Sequence, residues 1–127
     1  MSKKVLIVDD EPHIRMLLEQ TLEDFEDKGV ELLIAKDGKE ALRFIKKEEP
    51  NLVYLDVMMP EVNGYDVCNI TKNTLLLKHV YIVLLTAKGQ EFDKKKGLEA
   101  GADLYLTKPF DPDYIVEKTE EVLGIKL

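Results

Sequence analysis

The stretch Val5-Leu6-Ile7-Val8-Asp9-Asp10-Glu11-Pro12 puts an apolar run, a row of acids and a helix opener next to one another. Four consecutive apolar residues, mostly β-branched, are what a strand buried on both faces requires. Pro12 suits the first position of a helix, where its fixed φ is helical and its missing N–H would have no partner anyway. Beyond it Ile14, Leu17, Leu18, Leu22 and Phe25 recur at helical spacing, and Gly29 ends the run. The order is strand, polar rim, helix.

Working outward, that unit repeats. Glu31 to Ala35 is a second strand, and Asp37-Gly38 forms a turn and cap before Ala41, Leu42 and Ile45. Pro50-Asn51 interrupts the chain, Leu52-Val53-Tyr54-Leu55 is a third strand, and the helix after Asn63-Gly64 carries Tyr65, Val67, Cys68 and Ile70. Val80 to Leu85 is the fourth strand, followed by a helix through Phe92, Leu98 and Ala100 that stops near Gly101. Asp103 to Leu106 is the fifth, and Asp111-Pro112 opens a last helix through Ile115, Val116, Val122 and Leu123. Short apolar strands alternating with helices imply an α/β fold whose parallel sheet is covered on both faces. Right-handed crossovers narrow this to a small, open, doubly wound sheet. A closed eight-fold barrel needs about twice the length.

Composition narrows the function. The chain has 127 residues, 45% hydrophobic and 34% charged, enough apolar content for a core. Eighteen Lys and Arg against 25 Asp and Glu leave a net charge of −7, the wrong sign for a general nucleic-acid binder. A lone cysteine, Cys68, cannot form an internal disulfide or a multi-cysteine zinc site. The apolar stretch after Met1-Ser2-Lys3-Lys4 is too short for a signal-peptide core, and Val80 to Leu85 is too short to cross a bilayer. The expectation is one soluble, cytoplasmic domain over residues 1–127.

In open parallel sheets, ligands sit beyond the carboxyl ends of the strands, where strand order reverses. Strand one is followed by Asp9, Asp10 and Glu11, strand three by Asp56, strand four by Thr86, and strand five by Thr107 and Lys108. Lys36 and Asp37 follow strand two and lie off the switch point if that strand is at an edge. Acids gathered on one rim repel, by roughly 4 kcal/mol for two unit charges ~4 Å apart at an effective dielectric near 20. A cation among them, or protonation of one, relieves this. Carboxylates without His or Cys favour a hard, oxygen-seeking ion, and an open site that retains waters suits Mg²⁺ over Ca²⁺. With an ammonium from Lys108 and a hydroxyl from Thr86, such a rim suits a phosphoryl group, and Asp56 is a possible acceptor. Each residue taken singly has a plainer reading: Asp9 or Asp10 as a helix cap, Lys108 before Pro109 as an extended loop residue. The joint placement at four of five strand ends is harder to explain that way.

Asp9-Asp10 after the Val5–Val8 run, Asp56-Val57-Met58-Met59-Pro60, Thr86-Ala87 and Lys108-Pro109-Phe110 together resemble a response-regulator receiver domain of the CheY-like type, over essentially the whole chain. The resemblance implies a flavodoxin-like strand order 2-1-3-4-5 with five helices. It implies Asp56 as phospho-acceptor, Asp10 as a direct Mg²⁺ ligand, Asp9 as a direct or water-mediated one, and the Met58 backbone carbonyl as another. Thr86 and Lys108 would hold phosphoryl oxygens, Tyr105 would change rotamer with Thr86, and the Lys108–Pro109 bond would be cis. The implied activity is that of a phosphorelay switch, which promotes its own aspartyl phosphorylation and dephosphorylation rather than turning over a metabolite. Its phosphoryl donor would be a histidine kinase or phosphotransfer protein, and its output surface helix four, strand five and helix five.

Two other classes fit less well. A Mg²⁺-dependent phosphohydrolase with an aspartyl intermediate would show Asp-x-Asp after strand one and a cap insertion. A flavin-binding module would carry a Ser/Thr/Gly-rich loop there. His13 and His79 stand alone and are expected at the surface, as are Glu23, Asp24, Glu26, Asp27 and Lys94-Lys95-Lys96; Cys68 is expected to be a small buried hydrophobe. At positions where many DNA-binding regulators place a dimer-forming acid and arginine, this chain has Leu104 and Lys118, so a monomer is expected without phosphate. The chain ends at Leu127, which fits a stand-alone receiver or part of a longer regulator or hybrid kinase.

Overall fold

All five strands form in the computed structural model, which describes residues 2–87 and 94–127. They are β1 (Lys4–Val8), β2 (Glu31–Ala35), β3 (Leu52–Asp56), β4 (Tyr81–Ala87) and β5 (Leu104–Lys108). They pair in parallel in the order β2-β1-β3-β4-β5, the flavodoxin-like arrangement. The helices are α1 (Pro12–Leu22), α2 (Gly38–Glu48), α3 (Gly64–Asn69), α4 (Lys94–Ala100) and α5 (Pro112–Leu123). Phe92, expected in the fourth helix, lies outside the described residues.

Successive strand residues point to opposite faces, and so build two cores from one sheet. Leu6, Val8, Val53, Leu55, Ile82 and Leu84 meet Ala41 and Ile45 of α2, Val67 and Cys68 of α3, and Ala100 of α4. Val5, Ile7, Tyr54, Val83 and Leu85 meet Leu18 and Leu22 of α1, Phe25, and Ile115 and Leu123 of α5. With β1 and β3 covered on both sides, their outermost polar residues are carried to one rigid edge.

The elements differ from the sequence reading at their ends. Asp56 and Lys108 close their strands and Thr86 is the last residue but one of its own, so none of the three lies beyond its strand: Asp56 sits opposite Leu85, Thr86 opposite Thr107, and Ala87 opposite Lys108. Apolarity marks where the covering helices stop, whereas main-chain pairing continues past it. The first helix is α-helical only to Leu22. Glu23–Lys28 tightens into a 3₁₀ helix that buries Phe25 and closes on Gly29 at φ 84°. Four acids at the carboxyl end of an α-helix would oppose its dipole, and the tight turn cuts that helix short. The third helix is likewise short and passes into a π-turn at Ile70–Thr74, with the Leu75 N–H donating to the Ile70 carbonyl.

Candidate functional site

Asp9 follows β1 directly, and its Oδ1 accepts the Glu11 N–H at 2.9 Å, folding the β1–α1 connection into a tight turn before Pro12. Val8 lies opposite Leu55 in the register, so Asp9 and Asp56 emerge side by side at the strand-order switch between β1 and β3. Asp10, next along the turn, is exposed. One carboxylate oxygen from each of Asp9, Asp10 and Asp56 lies within 4.8 Å of the others. From β5, the Lys108 ammonium reaches in and donates to Asp9 Oδ2 at 2.7 Å and to Asp56 Oδ1 at 3.2 Å. The Lys108–Pro109 peptide bond is cis.

Charge is crowded here. Asp56 is almost fully buried, and its pKa is pushed up to about 7, first by burial and then by the charge of Asp9; Lys108 only partly offsets these. Burial by itself would lower the Lys108 pKa, but the hydrogen bond to Asp9 and the nearby Asp56 charge outweigh it, and the net direction is up. The donor set is all oxygen, with neither His nor Cys, which fits a hard divalent cation. Asp9 is the most committed of the three, one oxygen to a backbone N–H and the other to Lys108; Asp10 is the most open.

Thr86, at the end of β4, is nearly buried, and its hydroxyl lies 3.4 Å from the Leu106 carbonyl on β5. Tyr105 is 40% exposed on β5, and Met58 is exposed in the loop after Asp56 while Met59 is buried. His13 and His79 lie at the surface beside Glu11 and Glu49, and Cys68 is buried.

Two contributors carry no local sequence signal. Arg15, one turn into α1, donates to the Asp9 backbone carbonyl at 2.7 Å. Gly64 opens α3 against the acid-bearing loop: a Cβ there would fall 2.8 Å from the Val57 Cα and closer still to the Asp56 carbonyl oxygen. No side chain fits between them. The Asn63-Gly64 pair beside a capping Asp66 marks a helix start, and Asn63 and Asp66 do form a capping box, but nothing local reports the approach to Asp56.

A parallel five-stranded sheet in this order, with three acids, a hydroxyl and a lysine at its carboxyl edge, is the architecture of a signalling switch. The chain belongs to the response regulator receiver domain family, whose sequence model matches residues 5–120. It is 44% identical over 123 residues to the alkaline phosphatase synthesis transcriptional regulatory protein PhoP of Bacillus subtilis, covering 97% of this chain and 49% of that protein. The chain spans about half the length of several curated relatives it matches. Among solved structures it superposes on a CheY-like receiver domain protein from Methanospirillum hungatei with a TM-score of 0.80 at 34% identity, covering 96% of this chain and 94% of that one. The receiver domain of a signal transduction histidine kinase from Syntrophus aciditrophicus superposes with a TM-score of 0.83 at 32% identity, covering 97% and 91%. No helix among the described residues is long and apolar enough to cross a membrane.

Proposed function

We propose that the chain accepts a phosphoryl group on Asp56 from a histidine kinase or phosphotransfer protein, in a Mg²⁺-dependent step, and that residues 1–127 act as one receiver unit in the cytoplasm. The observation that carries this is the Lys108 ammonium bridging Asp9 and Asp56 inside a cluster of three carboxylates. Asp10 and Asp56 would hold the cation directly, with Asp9 and the Met58 carbonyl completing the protein ligands. Bound there, the cation supplies positive charge to the transferring phosphoryl oxygens and favours the ionised form of Asp56.

An Asp56 carboxylate oxygen forms the new P–O bond as the donor's P–N bond breaks, and the freed imidazole is the leaving group. Lys108 is positioned to exchange a carboxylate oxygen for a phosphoryl oxygen, and the Thr86 hydroxyl to turn from Leu106 toward another. Hydrolysis by water at the same site would reset the switch. The phosphoryl group adds about −1.5 to −2 charges to a rim already crowded with acids. Thr86 lies near the end of β4 and Lys108 closes the paired strand β5, which carries Tyr105, so the response would reach the surface made by α4, β5 and α5, where an output protein or domain docks.

A monomeric ground state is part of this reading. Leu104 is half-buried against the core, and the Lys118 ammonium is already held by Glu121 at 3.1 Å on the same helix. Neither offers a free charge to a second copy.

The test is acid-labile phosphorylation by acetyl phosphate or a partner kinase in Mg²⁺. Asp56→Asn is expected to abolish the label, and an undiminished label on that variant would remove Asp56 as acceptor.

A further inference from the structure

The Arg15 guanidinium points inward to the main chain of the site rather than outward to a carboxylate. Its Nη1 donates at 2.7 Å to the Asp9 carbonyl, the last acceptor before the turn on which Asp10 rides. That turn is held from its other side by the Glu11 N–H on Asp9 Oδ1, while Glu11 itself is exposed and has no side-chain capping bond to α1. The backbone that aims Asp10 is therefore pinned at Asp9 by one amide donor and one guanidinium. Asp10 itself is exposed, and its side chain has Asp56 as its hydrogen-bond partner.

We infer that Arg15 is a positioning residue for the cation site: by gripping the Asp9 carbonyl it fixes the β1–α1 turn so that the Asp10 carboxylate faces Asp56. The inference rests on the cation reading of the acidic cluster. It makes a prediction opposite in sign to a charge effect. Arg15 is a positive charge close to a cation site, so a purely electrostatic role means that removing it tightens cation binding. A positioning role means that removing it weakens binding, because Asp10 must then be ordered by the cation itself.

Mg²⁺ affinity is measured calorimetrically on the unphosphorylated chain, independently of any phosphotransfer. Asp10→Asn is the control for the site, and backbone amide exchange at Glu11 and Ile14 reports the turn. Arg15→Gln is expected to bind Mg²⁺ roughly tenfold more weakly, in line with the loss of one charge-assisted hydrogen bond, with faster exchange at both amides. Arg15→Lys, which keeps a donor, should recover part of that affinity. Unchanged or tighter Mg²⁺ binding by Arg15→Gln, with wild type binding and Asp10→Asn not, overturns the positioning role and leaves the site reading standing. If wild type and Asp10→Asn bind alike, the acidic cluster is not the cation site and the inference falls with it. If Arg15→Gln does not fold, Arg15→Lys decides: faster amide exchange with wild-type affinity refutes the inference, and the two changing together supports it.

Discussion

Among the described residues two lysines are buried, Lys72 and Lys108, and their surroundings are opposites. Lys72, in the π-turn after α3, is 3% exposed; its ammonium pairs with Asp103 at 2.9 Å and donates to the Lys78 carbonyl at 3.1 Å. Its stem lies against Gly101, whose φ of +88° and missing Cβ leave just enough room. Asp103 in turn accepts the Ile82 N–H at 2.8 Å. One cation meets one anion, and the remaining polar contacts are neutral. Lys108, at the other end of the sheet, faces two carboxylates directly with a third close by. Nearly the same degree of burial thus yields a settled pair in one place and an unsettled one in the other. A balanced pair stitches the π-turn after α3, β4 and the approach to β5 together, whereas an unbalanced cluster retains an electrostatic demand that a cation or a phosphoryl group can change.

The largest stability effect is expected at the settled pair. Lys72→Met keeps much of the stem but leaves the Lys78 carbonyl and Asp103 without their cation. Because Asp103 is partly exposed and retains the Ile82 amide, the loss should be about 2–3 kcal/mol rather than the full cost of an orphaned buried charge. Urea unfolding of the variant measures it, and Mg²⁺ affinity should not change. A stability loss below experimental error, or a shifted Mg²⁺ affinity, would erase the distinction between the two lysines.

Asp56→Asn should act in the opposite direction. Its pKa, raised from 3.8 to about 7, means the folded chain holds a proton that the unfolded chain has released. That contribution is complete below the unfolded value and is lost as pH rises through about 7, so wild type is penalised most in mild alkali. Without divalent cations the variant should be more stable by roughly 1–2 kcal/mol at pH ~8, with a smaller gain at pH ~5. Thermal melts across that range check the slope, and added Mg²⁺ should close the gap from the wild-type side. A gain that grows toward acid would show the sign of the Asp56 shift to be wrong.

The contrast also explains what the sequence could and could not reveal. Asp9, Asp56, Thr86 and Lys108 were legible because each stands at or just past the end of an apolar run, and strand period plus parallel topology carries such ends to one edge. Lys72 sits between Thr71 and Asn73 in a polar stretch, and its burial follows from a π-turn that no spacing announces. Arg15 is one more charge on an amphipathic helix until the turn beside it is seen. Gly64 looks like a helix opener, yet its missing Cβ matters because of Asp56 and Val57, eight and seven residues earlier in the chain. Residues defined by chain direction were readable, and those defined by contact across elements were not.

The smallest effect belongs to a third lysine, whose partner carboxylate is exposed. Lys118 and Glu121 pair at 3.1 Å within α5, but the Glu121 carboxylate is 71% exposed, so water and salt compete for it. The Lys118 stem is mostly buried, so truncating the lysine would mix packing with charge. Glu121→Gln isolates the charge and should cost no more than ~0.5 kcal/mol, a difference that high salt removes. Paired urea titrations at low and high ionic strength would detect it. A salt-resistant loss matching that of Lys72→Met would mean that burial and charge balance do not rank the ion pairs of this chain.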